Sequence, residues 1–146
     1  MTPEELALIE DDWRAVGPVA DTFAGCFYDT LFEVAPELRS RFPDDLADQR
    51  AKLVAELVFL VDAAIAARRF HDLEAFEDRS RQLGRRHVDY GATAGDYPKV
   101  EMALRAGHRT CVEGWDDAHE VAWTKLYRLI TEVMVEGAST NRRVDR

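Results

Sequence analysis

Two polar residues stand where the apolar pattern of this chain predicts none: Gln49 and His87. His87 follows Phe76, Ser80 and Leu83 at helical spacing, with Tyr90 next on the same stripe. A neutral imidazole on an apolar face can ligate a metal, haem iron included. No second ligand lies close in sequence, which suits a metal already held by a macrocycle and disfavours a bare zinc ion. The plainer alternative is a core histidine bonded to a backbone carbonyl. Gln49 interrupts the stripe Leu46, Leu53, Leu57, Leu60, Ala64. A buried amide needs a partner, so Gln49 either faces a ligand cavity or turns aside into solvent at a helix start.

Helices must carry both residues, because helical periodicity runs along the whole chain and no alternating strand or hairpin turn interrupts it. Thr2-Pro3-Glu4-Glu5 predicts a capped helix start with Leu6, Ile9 and Trp13 inward, ending near Gly17-Pro18. The next helix spans about 18–34, with Val19, Phe23, Phe27 and Leu31 on one face. Pro36 opens a short helical corner that Pro43 closes after Phe42. The helix bearing Gln49 starts near Asp44 or Asp45, and its stripe breaks around 69–72. A helix over about 73–88 carries His87, and Gly91 suits a left-handed cap beyond it. Two more helices are predicted, over about 96–113 and from Asp116 or Asp117 onward. The expectation is one all-α domain of about seven helices over residues 1–138, with 139–146 a frayed polar tail.

Composition narrows the function. The chain has 146 residues, 47% hydrophobic and 32% charged, which is enough for one domain with a sizeable core. A net charge of -9 without a basic stripe argues against nucleic acid. No apolar run is long enough for a membrane span, and the acidic N-terminus lacks signal-peptide order, so a cytoplasmic location is expected. Cys26 and Cys111 read as reduced thiols within helices. His71 and His119 are expected at the surface, while His108 suits core or surface.

The order of these features resembles the globins, and within them bacterial single-domain globins and the haem domain of flavohaemoglobins. Three stretches carry the likeness: Phe27-Tyr28-Asp29-Thr30-Leu31-Phe32 with Pro36-Glu37-Leu38 and Phe42; Gln49-Arg50-Ala51-Lys52-Leu53; and Leu83 to Gly91 around His87 with Asp96-Tyr97-Pro98. The resemblance covers about residues 4–137. It implies a globin fold around a pocket for haem b, with His87 as the proximal iron ligand. It places Phe42 on the porphyrin face and makes Tyr28 and Gln49 the distal hydrogen-bond donors to a bound gas. Each donor is worth ~1–3 kcal/mol in a dry pocket. Leu53 would meet the ligand with an apolar side chain, Tyr97 would support the proximal side, and Arg50 and Arg86 are candidate partners of the haem propionates. A plain core role for Phe42 and Leu53, and a solvated surface role for the two arginines, remain the alternatives.

The chain departs from that pattern twice. The glutamate that would back the proximal histidine falls on Ala138, with Glu136 nearby. The segment from Gln49 to His87 is long by about a turn and a half of helix, the extra residues falling around 62–72. The resemblance implies a protein, monomer or homodimer, that binds O2 and other diatomic gases at five-coordinate iron. It further implies NO dioxygenation, with electrons from a separate reductase because no dinucleotide fingerprint is present. The alternative is a globin-fold gas sensor or a haem-free partner-binding module.

Overall fold

The computed structural model describes residues 1–71, 73–89 and 91–144, with side chains through residue 137. Asp72 and Tyr90, the latter a member of the His87 stripe, therefore lie outside the described residues, as do the side chains of the expected tail. Six α-helices build the described fold: α1 (Pro3–Val16), α2 (Ala20–Val34), α3 (Ala47–Phe70), α4 (Glu74–Asp89), α5 (Tyr97–Cys111) and α6 (Asp117–Val144). The corner after α2 is a 3-10 turn, Pro36–Arg41, and two shorter 3-10 turns, Gly17–Val19 and Ala94–Asp96, join the helices among the described residues. No strand occurs among the described residues.

Local chemistry sets several boundaries. Thr2 and Glu5 form a capping box at α1, the Thr2 hydroxyl accepting from the Glu5 amide at 3.1 Å. Pro36 opens the corner, and the Arg39 guanidinium ties it down by donating to the carbonyls of Phe42, Pro43 and Asp44. Gly91 adopts φ 86° just past α4, the left-handed conformation a glycine permits there.

The expected end of the last helix near Gly137 is corrected: α6 continues to Val144. Gly137 acts as a contact surface. A Cβ there would lie 2.6 Å from the Arg81 carbonyl oxygen on α4. One α4 turn from Arg81, a Cβ at Gly84 would overlap the Met134 backbone carbonyl. These two glycines let α4 and α6 cross backbone on backbone, which seats the helix that carries His87. The core then fills from Ile9, Phe23, Phe27, Leu31, Leu60, Phe76, Trp123, Leu126 and Ile130. Residues 62–70, expected to extend a helix or the corner after it, lengthen α3, and His71 ends it in the left-handed region at φ 55°.

Candidate functional site

The facing sides of α3 and α4 can be traced through one ion-pair cluster. Gln49, Leu53 and Glu56 follow each other at spacings of four and three, so they share an α3 face. Glu56 pairs with Arg79 at 2.9 Å and with Arg86 at 3.3 Å, both on α4. Arg86 adjoins His87. The helix that carries Gln49 therefore packs beside the helix that carries the imidazole.

On α4, Phe76, Ser80 and Leu83 are buried and His87 is half-buried, in keeping with the predicted stripe. His87 Nδ1 lies 2.8 Å from the Leu83 carbonyl oxygen. A carbonyl only accepts, so Nδ1 carries the proton and the ring lone pair falls on Nε2. Burial holds the imidazole pKa below its usual value, opposed by the Leu83 bond, and so keeps the ring neutral. A neutral ring with an oriented Nδ1–H is the form that ligates a metal.

Across α2 and the corner, Tyr28 is buried at the centre of an aromatic group. Its ring centroid lies 5.8 Å from that of Phe32, 5.7 Å from that of Phe42 and 4.8 Å from that of Phe27. The phenol donates to the Gln49 backbone carbonyl over a long 3.4 Å. Burial raises the phenol pKa, and hydrogen bonding with Gln49 pulls it the other way. The two expected distal residues are thus brought together, joined by a weak bond. Phe32, Phe42 and Leu53 remain only partly buried against the core. Arg41 links the corner to the end of α4, donating to the Gly91 carbonyl at 3.2 Å.

The remaining expected site residues are placed as follows. Tyr97 is buried at the start of α5, with its pKa raised first by burial and then by Asp96. Arg50 pairs with Asp21 at 3.1 Å, and Arg86 with Glu56, so both guanidiniums are engaged by carboxylates of the chain itself. Glu136 pairs with Arg81 at 3.7 Å, and the Ala138 side chain lies outside the described residues. Sequence reasoning overlooked Glu56 and Arg41. The seven-residue step from Gln49 to Glu56 was the available signal for the first, and nothing local signals the second.

One expectation away from the site is corrected. His119 is half-buried, held by Asp12 at 2.7 Å from a distant part of the chain. His71 is exposed as expected, and Cys26 and Cys111 are free thiols.

Residues 25–134 match the globin family model, named "Globin". The chain belongs to the globin family. It is similar to the neuroglobin of Dissostichus mawsoni, 24% identical over 152 residues and covering 97% of this chain and 94% of that protein. It is 26% identical over 147 residues to the protein named anaerobic nitrite reductase HBII of Casuarina glauca, covering 92% and 91% of the two chains. In fold it matches the hemoglobin of the botfly Gasterophilus intestinalis with a TM-score of 0.76 and 18% identity, over 95% of this chain and 99% of that one. These relatives are a neuroglobin and plant and insect globins, so the family is wider than the bacterial group the motifs resemble. Globins bind haem and, through it, diatomic gases. The residues fit such a group: a neutral imidazole stands on a helix beside one whose Gln49 main chain takes the Tyr28 phenol, and Phe32 and Phe42 against Tyr28 are only partly buried. No helix among the described residues is long and apolar enough to cross a membrane.

Proposed function

We propose that the protein is a haem-b globin that reversibly binds O2, NO and CO at a five-coordinate iron held by His87, with Tyr28 and Gln49 over the gas. The observation that carries this reading is the buried Tyr28 phenol reaching the Gln49 main chain on the helix beside that of His87. Ferrous haem, held by His87, would supply reversible binding of a diatomic gas. The work of the chain's own residues follows from their surroundings. His87 presents Nε2, with its tautomer fixed by Leu83. Phe42 offers an apolar ring to a flat ligand, backed by Tyr28 and Phe32. Tyr28 keeps its proton because burial raises its pKa, so it remains a donor across the physiological range. Its present bond to Gln49 is long enough to be exchanged for a stronger one to a partly charged ligand. Tyr97 would brace the proximal side from α5. Arg50 and Arg86 would meet the propionates only by giving up Asp21 and Glu56.

Two donors over the gas favour retention over delivery. That supports the resemblance to flavohaemoglobin haem domains and a role in NO dioxygenation, in which NO and O2 and one electron give nitrate. The electron would come from a separate reductase. The name of the Casuarina glauca relative makes nitrite a second substrate for the same assay.

An absorbance scan is the direct test. A Soret band that shifts with O2 and CO is expected, and a protein that stays colourless after haem supplementation would leave only a haem-free binding module. Stopped-flow mixing of the oxygenated form with NO should give rapid conversion to ferric haem and nitrate. Tyr28→Phe should speed O2 release about ten-fold, the worth of one charge-assisted bond in a dry site. An unchanged off-rate would place the phenol out of reach of the gas.

A further inference from the structure

The lengthened α3 builds a feature remote from the His87 site. Its last turn reaches the start of α1, and between them lies an open cleft of about 500 Å3. Pro3, Leu6, Ala7, Ala67 and Leu73 supply apolar walls, and Arg68, Arg69 and His71 add three basic side chains. All three basic residues are exposed. Arg69 is bound to Glu10, whereas no described carboxylate pairs with Arg68. Beside them Phe70 is 73% exposed, the most exposed large apolar residue of the described chain, and Leu73 is 46% exposed. Leu73 lines the cleft, and Phe70 stands next to its basic residues in sequence.

An occupant must satisfy both features at once. A purely apolar molecule leaves Arg68 unused, and a small inorganic anion leaves the walls wet. An amphiphile with a negative head satisfies both, and the volume lies within the ~300–1,000 Å3 of ordinary small-molecule clefts. We propose that this cleft binds a long-chain acyl carboxylate, its tail against Leu6, Ala7, Ala67 and Leu73 and its head on the Arg68 guanidinium. Arginine matches a carboxylate with two parallel donors. None of these residues belongs to the gas site, so the proposal stands independently of haem chemistry.

Isothermal titration of the full, haem-loaded chain with dodecanoate is expected to show saturable binding of one molecule, with the Soret band unchanged. Ala7→Trp, at an exposed helical position, fills the cleft, and Arg68→Glu reverses the head-group charge. Each should weaken binding about ten-fold or more, and Arg68→Lys should recover part of the loss. Circular dichroism checks that each variant keeps its helices. Dodecyltrimethylammonium, with the same tail and opposite charge, should bind at least about ten-fold more weakly. Equal affinity for the cationic amphiphile would overturn the proposal. So would variants that bind like the parent, or a Soret shift that follows dodecanoate occupancy. Capture by phosphatidylglycerol vesicles without binding of free dodecanoate would replace it with a membrane-docking surface.

Discussion

His87 and His108 are chemically identical side chains buried to different depths. His108 is fully buried on α5, its ring stacked on Trp123 at 3.9 Å and parallel to Trp115 at 5.9 Å, with Phe23 edge-on at 4.8 Å. Its Nε2 lies 2.6 Å from the Tyr127 hydroxyl. Burial presses its pKa down to about 3. Rings close every approach, so this histidine is core. His87 is half-buried on α4, and its Nδ1 bond runs to a carbonyl of its own helix. A histidine bonded to a carbonyl occurs in both the core and the ligand readings. What separates the two residues is depth of burial and the shell of aromatic rings around His108.

The sharpest way to break the comparison is to truncate both. His108→Ala should cost about 4 kcal/mol, from a cavity among aromatic rings plus the orphaned Tyr127 hydroxyl. Haem uptake per folded molecule should be unchanged. His87→Ala should do the reverse, costing the apoprotein under about 1 kcal/mol and abolishing stable haem retention through gel filtration. Urea titrations of the two apoproteins, with Soret absorbance after reconstitution, separate the cases. A His87→Ala protein with a normal ferrous spectrum would end the ligand assignment.

The second largest effect concerns the seat of α4. Gly84→Ala places a methyl group against the Met134 carbonyl, and backbone cannot give way as a side chain does. A loss of about 3 kcal/mol is expected in the melting of the apoprotein, with weaker haem retention because α4 carries His87 away from its place. Parent stability in the Gly84→Ala variant would mean that α4 and α6 cross less closely.

Much of this was readable in the chain because it is local. The Thr2 cap, the Pro36 corner and the Gly91 turn each follow from two or three neighbouring residues, and the structure bears them out. The stripe through Phe76, Ser80, Leu83 and His87 is likewise a property of one helix. What stayed hidden is non-local. Glu56 becomes a bridge only once α4 lies beside it, and His119 is drawn inward by Asp12, 107 residues away. Gly137 looked like a helix end because glycine usually is one, yet here it permits close packing on Arg81. The Tyr28–Gln49 pair falls between these cases: periodicity marked Gln49 as odd, but only the family resemblance connected it to a tyrosine 21 residues earlier.

Acid sharpens the same contrast. The unfolded chain protonates His108 near pH 6.5, whereas the folded chain resists until about pH 3. Below pH 6.5 the unfolded state therefore binds the extra proton, and stability falls as pH falls through that window. At pH 5 the loss from this residue is about 2 kcal/mol. Glu120, held down to about pH 2 chiefly by Arg109, adds a loss in the same direction below its ordinary value. The double variant His108→Phe with Tyr127→Phe should flatten the slope between pH 6.5 and 4 in urea titrations of the apoprotein. A slope unchanged in that variant would assign the acid sensitivity elsewhere.

The smallest effect tests whether the corner after α2 and the loop beyond His87 are coupled. Arg41 stands on the corner next to Phe42, and its bond to the Gly91 carbonyl and 3.7 Å approach to Asp96 join that corner to the loop beyond His87. Half-exposed pairs of this kind contribute under about 1 kcal/mol to folding, so Arg41→Ala should barely move a urea midpoint. Haem loss is a different measurement, because it depends on how often the corner and the loop part. Transfer of haem to an excess of an apoglobin acceptor should be a few-fold faster in Arg41→Ala, and Arg41→Lys should fall between, since one ammonium can still reach the carbonyl. If haem leaves both variants at the parent rate, the Arg41 contact is incidental to haem retention.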